Sequence, residues 1–232
     1  MHITRDSRVS DLATETPATI KIFQEHGIDF CCGGKRPLAE ACAERGVDVD
    51  LLVAKLQAVT SDVFGDRNWQ AAPLQELVAH IQQRFHQPLR DELPRLAGMM
   101  AKVVSRHGEH LPDTLYPLQA TLAEFADELL QHMAKEDVVL FPAIVAIEAG
   151  EAGGGPRIDQ PIAVMEADHA HAGQALAQMR ALTADYTPPE WACPTFRGLY
   201  YGLAELERDM HLHVHLENNI LFPRAASMPA AR

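Results

Sequence analysis

The sequence predicts an all-α protein: an up-down-up-down four-helix bundle behind a small helical N-terminal domain. Three observations carry this. From Pro73 onward, apolar residues recur at three- and four-residue intervals through four long stretches, the period of a helix that buries one face. Short turns rich in Gly and Pro separate the stretches, which makes neighbours in sequence antiparallel neighbours in space. Finally, His132-x-x-x-Glu136-x-x-x-Leu140-Phe141-Pro142 returns 81 residues later as His213-x-x-x-Glu217-x-x-x-Leu221-Phe222-Pro223, the mark of a structural unit used twice.

Taken in order, residues 1–58 read as short helices. Thr16 or Thr19 can cap a helix through Ile20, Ile22 and Phe23 that Gly27 ends. After Asp29-Phe30-Cys31-Cys32-Gly33-Gly34-Lys35, Pro37 opens a helix from Leu38 to about Arg45, and Gly46 stops it. Asp48 or Asp50 caps a third, with Leu51, Leu52, Val53 and Leu56. Residues 59–72 mix Gly, Asp, Asn and Ser and fit a linker. Residues 73–226 form the bundle. Its first helix carries the stripe Leu74, Leu77, Val78, Ile81, Phe85, Leu89, Leu93 and Leu96, with Pro88 expected to kink it. The other three run from about Thr114 to Ala149, Ile162 to Leu182 and Thr195 to Phe222, and Gly150–Pro156 reads as a flexible loop. The Pro of each Leu-Phe-Pro is expected to kink or end its helix.

Composition narrows the function. A formal charge of −12 excludes nucleic acid and an anionic membrane surface as natural partners. No apolar run is long enough to span a bilayer, and the charged start (Arg5, Asp6, Arg8) lacks the apolar stretch of a secretory signal. Four cysteines, two of them adjacent, do not make a disulfide framework, so a reducing cytoplasm is the expected compartment. The sequence is compatible with a homodimer.

Candidate ligands fall in one layer. A His and a Glu four apart share a helix face and can point at one ion. His86 lies about as far before the first turn as His132 lies after it, and His169 and His213 are balanced in the same way. The intervals agree: 46 residues from His86 to His132 and 44 from His169 to His213. Two helical hairpins thus each supply one lone His and one His-x-x-x-Glu pair. His86, His132, Glu136, His169, His213 and Glu217 are too many ligands for one tetrahedral zinc. They suit two irons, bridged by the two carboxylates and an oxo or hydroxo group, with about one open position on each. The order His-x-x-x-Glu differs from the Glu-x-x-His of ferritin-type bundles and points away from an oxygen-activating oxidase.

Other residues receive plainer readings. His211 and His215 flank His213 by two and face away from it, so they read as surface histidines, as does His171 beside His169. His107 and His110 sit about a turn and read as solvated. His80 is too far round its helix to share a face with His86. Asp137 is assigned to the solvated face, with a hydrogen bond to a ligand as the alternative.

With these residues in place, the chain resembles the repair-of-iron-centres proteins, di-iron iron–sulfur cluster repair proteins of the ScdA/YtfE type. Gly27 to Lys35 is similar to that family's Cys-Cys-Gly-Gly signature. Arg84-Phe85-His86, His132 to Glu136, Val164 to His169 and His213 to Asn219 are similar to its hemerythrin-like domain. Pro88-Leu89 departs from the pattern, where relatives often carry a further polar residue. The resemblance implies the same six iron ligands, and a cytoplasmic stress protein that restores clusters damaged by nitric oxide or peroxide. Its implied partners are damaged iron–sulfur proteins or a cluster scaffold, with nitric oxide or oxygen as small ligands.

Cys31 and Cys32 read as redox or iron-transfer thiols. Flanking glycines leave them accessible, and Lys35 with the next helix N-terminus is expected to favour thiolates. Two small buried residues in a turn is the bland alternative, and Cys42 and Cys193 read as structural. Three activities fit such a centre. Iron donation to a damaged cluster comes first, nitric oxide reduction to nitrous oxide second, and hemerythrin-type oxygen binding last, since that site uses a further His.

Overall fold

Apolar side chains at helical spacing bury one face of each long helix in the structure, a computed structural model that describes residues 3–58, 67–151 and 158–228. Among these residues there is no strand, and no helix is long and apolar enough to cross a membrane. Two compact units share them. One holds the residues up to Leu77 together with those from His211 onward, and the other is Val78–Met210.

The first unit begins with four short helices: α1 (Val9–Glu15), α2 (Thr19–Glu25), α3 (Leu38–Arg45) and α4 (Val49–Gln57). Asp48 caps α4, its carboxylate accepting from the backbone of Asp50 and Leu51. Gly27 and Gly46 leave α2 and α3 at φ 62° and 64°, the left-handed conformation that a Cβ disfavours. Thr19 does not cap: its hydroxyl donates to the carbonyls of Thr16 and Leu12, so it ties α2 to α1. Val9, Leu12, Phe23, Ile28, Phe30, Leu38, Leu52 and Leu56 form the core, and Leu212 packs against it. At roughly 1.5–3 kcal/mol for each large side chain buried, this packing offsets a small module's shortage of core. Of the predicted linker, residues 59–66 lie outside the described residues. The remainder turns on Asn68, and the Arg224 guanidinium donates to the carbonyls of Trp69 and Ala72.

The bundle is built from α5 (Leu74–Ile81), α6 (Gln87–His107), α7 (Pro112–Lys135), α8 (Phe141–Glu148), α9 (Asp159–Leu182) and α10 (Pro194–Leu216), with α11 (Phe222–Ala226) at the end. In the Val78–Met210 unit, α6 and α10 run antiparallel. Arg84 pairs with Asp209 at one end, and Gly198 lies against Met99 further along. A Cβ on Gly202 would stand 2.6 Å from Leu96, so glycine lets these two helices approach closely. Leu93, Leu96 and Met100 of α6 share the interior with Leu118, Leu122 and Phe125 of α7, Met179 of α9 and Leu203 of α10. Part of the predicted Gly150–Pro156 loop, residues 152–156, lies outside the described residues.

The helices do not stop at the prolines. A π turn precedes Pro88, Pro142 and Pro223 alike: Gln82–His86, Glu136–Leu140 and Glu217–Leu221. Each is closed by a five-residue hydrogen bond, from Gln87 to Gln82, Phe141 to Glu136 and Phe222 to Glu217. Proline has no N–H and crowds the carbonyl four residues back, and a widened turn just before it relieves both problems. Proline alone does not impose the turn, because Pro94 and Pro117 lie inside ordinary α-helix. What the three π turns share is a candidate ligand: His86, Glu136 and Glu217.

Candidate metal centre

In the Val78–Met210 unit, four polar side chains at the bundle core converge. His86 and Glu136 are wholly buried, and His132 and His169 are nearly so. His86 Nε2 lies 3.5 Å from Glu136 Oε2, and His132 Nε2 lies 3.2 Å from the same oxygen. The Nε2 atoms of His132 and His169 are 3.0 Å apart. His132, Glu136 and His169 each offer one ligand atom, all within 4.8 Å of one another.

Both oxygens of Glu136 are buried without a hydrogen-bond donor. An ionised carboxylate in such a place costs several kcal/mol unless a cation compensates it. A metal ion held by His132, Glu136 and His169 would do so. Mixed imidazole and carboxylate donors fit iron.

The outer edges of two imidazoles are held by carboxylates. Asp137 Oδ1 lies 2.9 Å from His86 Nδ1 and accepts at 2.9 Å from the Gln82 amide, while Arg90 donates to Oδ2. Asp168 Oδ2 stands 3.3 Å from both His132 Nδ1 and Lys135 Nζ. Burial pushes both aspartates up, but these donors outweigh it and hold each carboxyl below its usual range. Asp137 therefore belongs to the site, because it fixes the tautomer that turns Nε2 of His86 inward. The Phe141 ring stacks on His86 at 5.5 Å. A cavity of about 220 Å³ reaches His132 and His169, with Lys135, Asp168 and Met210 in its wall.

In the other unit, His213 Nε2 lies 2.9 Å from Glu217 Oε1, one turn along, and both residues are wholly buried. The Cys-Cys-Gly-Gly loop belongs to this unit. Asp29 closes it: Oδ1 accepts from the backbone of Cys31 and Cys32 and from the Cys31 thiol at 3.2 Å, and Oδ2 accepts from Gly33. Burial raises the Asp29 carboxyl, but these hydrogen bonds outweigh it and leave it lowered. A Cβ on Gly34 would meet the Phe30 carbonyl oxygen at 2.5 Å, so the tight return needs glycine. The two sulfurs are 3.7 Å apart, with Cys31 buried and Cys32 partly exposed. The expected thiolate does not hold for Cys31. Burial, the adjacent Cys32 and the Asp29 carboxylate all push its thiol well up.

His215 also departs from expectation. It is buried, packed edge-on against the Phe30 ring with centroids 5.5 Å apart, and the Asn219 amide donates to its Nδ1 at 3.1 Å and reaches the Cys31 carbonyl at 3.5 Å. Burial lowers its imidazole to about 4, keeping it neutral. His107 is not simply solvated either, since it stacks on Phe196 and lies against Trp191. His171 is exposed, as expected. Asp29 could have been read from sequence, because an Asp two and three residues before free N–H groups is a turn signature. The burial of His215 could not, since it depends on Phe30, far away in the chain.

Comparison with known proteins agrees with this geometry. Residues 77–225 match the hemerythrin HHE cation-binding domain, a span that takes in all six candidate ligands, and residues 5–60 match ScdA_N, a domain of unknown function. A protein of Yersinia pseudotuberculosis serotype IB (strain PB1/+), named iron-sulfur cluster repair protein YtfE, is 42% identical over 95% of this chain and 97% of its own. The protein of the same name from Yersinia pestis (strain Pestoides F) matches with the same identity and coverage. The chain therefore belongs to the hemerythrin HHE cation-binding family, among the iron–sulfur cluster repair proteins that carry an ScdA_N domain in front.

Proposed function

We propose that this protein repairs iron–sulfur clusters damaged by nitrosative or oxidative stress, donating iron from a labile di-iron centre. The observation that carries the reading is the buried meeting of His132, Glu136 and His169 around a carboxylate that has no hydrogen-bond donor. In this reading His86, His132, Glu136, His169, His213 and Glu217 are the side chains that would hold the two irons. Three things support the six-ligand set: the internal sequence repeat, the burial of all six side chains, and a family match that spans them.

Bound iron supplies a Lewis-acidic, redox-active centre with open coordination positions. The chain's part is to hold and to release. Asp137 and Asp168 set the tautomers of His86 and His132, and the two buried glutamates balance the positive charge. The cavity beside His132 and His169 gives an incoming acceptor a path. We assign Cys31 and Cys32 to redox exchange or iron transfer; their sulfurs lie 3.7 Å apart in a loop whose Cys31 carbonyl is reached by Asn219 of the Glu217 turn. Damaged iron–sulfur proteins are the partners, consistent with the names of the relatives. We place the protein in the cytoplasm, where four cysteines without a disulfide are at home.

The test combines metal analysis, Mössbauer spectroscopy and transfer. Anaerobically purified protein should carry two irons per chain, spin-coupled when oxidised, and the reduced protein should restore a cluster in an apo-ferredoxin supplied with sulfide. One zinc per chain, or no metal, sinks the reading. Nitrous oxide formed from nitric oxide and a reductant, without iron transfer, would move the assignment to nitric oxide reduction.

A further inference from the structure

We infer that Asp137 is a positioning residue that makes the two metal positions unequal: the ion on His86 is retained, and the ion on His132 and His169 is exchanged. The inference rests on the di-iron reading above and names which of its ions is donated.

The two outer carboxylates are built differently. Asp137 is fixed from three sides, by His86 Nδ1 at 2.9 Å, by the Gln82 amide at 2.9 Å and by the Arg90 guanidinium, and its side chain is 18% exposed. Gln82 and His86 open and close the same π turn, so the turn delivers both groups to one oxygen. Phe141 covers the face of the His86 ring, with an interplanar angle of 17°. That imidazole is locked at edge and face.

The other side is looser. Asp168 contacts His132 Nδ1 and Lys135 at 3.3 Å, longer than the 2.9 Å contacts of Asp137, and its side chain is 32% exposed. The cavity of about 220 Å³ is lined by His132, His169, Lys135 and Asp168. A metal leaves a protein when a ligand swings off and an incoming donor takes its place. On the His132 side the cavity admits an incoming donor, and the contacts of the carboxylate behind the ring are the longer ones. On the His86 side the ring cannot turn without breaking its bond to a clamped carboxylate. Carboxylates behind a ligating imidazole typically change metal affinity by about 10–100-fold, enough to separate the two release rates.

The experiment follows iron release from the reduced, iron-loaded full chain into excess bipyridine, with total iron measured first. Two irons leaving in two phases of equal size is the expected result for the wild type. Asp137→Asn should accelerate the slow phase by about 10-fold or more and leave the fast phase alone, and Asp137→Glu should restore much of the slow rate. Asp168→Asn should act on the fast phase only. Thermal unfolding of each apo variant separates this from general loosening, which would accelerate both phases together. Two irons leaving in one phase, or Asp137→Asn acting on both phases, overturns the inference and leaves the di-iron reading standing. Fewer than two irons in the loaded wild type overturns both.

Discussion

Asp29 Oδ1 lies 2.9 Å from the backbone nitrogen of Cys31 and 3.2 Å from its sulfur, so one carboxylate closes the two-cysteine loop and also bears on its thiol. The arrangement has opposite effects on structure and on reactivity. The carboxylate stabilises the loop through charge-assisted hydrogen bonds, and its charge opposes ionisation of Cys31. Asp29→Ala should therefore destabilise the protein by about 2–3 kcal/mol while making Cys31 a better nucleophile. Denaturant unfolding reads the first effect, and alkylation at Cys31 followed by mass spectrometry reads the second. Slower alkylation in the variant would contradict the assignment.

The same carboxylate predicts an acid limit. Its folded pKa lies below the ordinary value of 3.8, so the stability it contributes is complete above that value and is lost as pH falls through the lower, folded one. Wild-type stability should thus decline below about pH 4, and Asp29→Asn should show a shallower decline there. Denaturant midpoints from pH 2 to 7 measure both slopes. Parallel curves for the two proteins would remove Asp29 from the account.

Two glycines should respond in opposite directions to the same substitution. Gly34→Ala drives a Cβ to 2.5 Å from the Phe30 carbonyl oxygen, backbone that cannot step aside, and should destabilise by about 1–3 kcal/mol. Gly98 lies on the exposed side of α6 with nothing within 4 Å of an added Cβ. Gly98→Ala should stabilise by about 0.5–1 kcal/mol, since glycine is the weaker helix former. Thermal denaturation of the pair is the check.

The bundle was legible because its helices are amphipathic, and four of the six candidate ligands stand out because an i, i+4 His and Glu pair on one face leaves a trace in sequence. The π turns left none. Their five-residue hydrogen bonds depend on which carbonyl a backbone N–H chooses, and the proline after each turn is no guide when Pro94 and Pro117 sit in plain α-helix. Asp137 reads as surface charge in an acidic chain until Gln82 and Arg90 arrive from another helix. His215 reads as surface until Phe30 packs on it. The last two omissions are long-range contacts that local pattern does not encode.

Glu136 yields the prediction that separates a metal ligand from a structural carboxylate. Buried without a hydrogen-bond donor, it destabilises the metal-free protein, and an apolar side chain of similar size should relieve that burden. Glu136→Leu should thus make the apo form more stable than apo wild type, by about 1–4 kcal/mol. In the presence of iron the order should reverse, because wild type gains the binding free energy and the variant loses much of it. Thermal melts of both proteins, with and without ferrous iron under anaerobic conditions, give four midpoints. A crossing of the two orders marks Glu136 as a residue kept for the metal at the expense of the apo fold. If the variant melts lower in both conditions, the carboxylate is structural and the metal reading loses its centre.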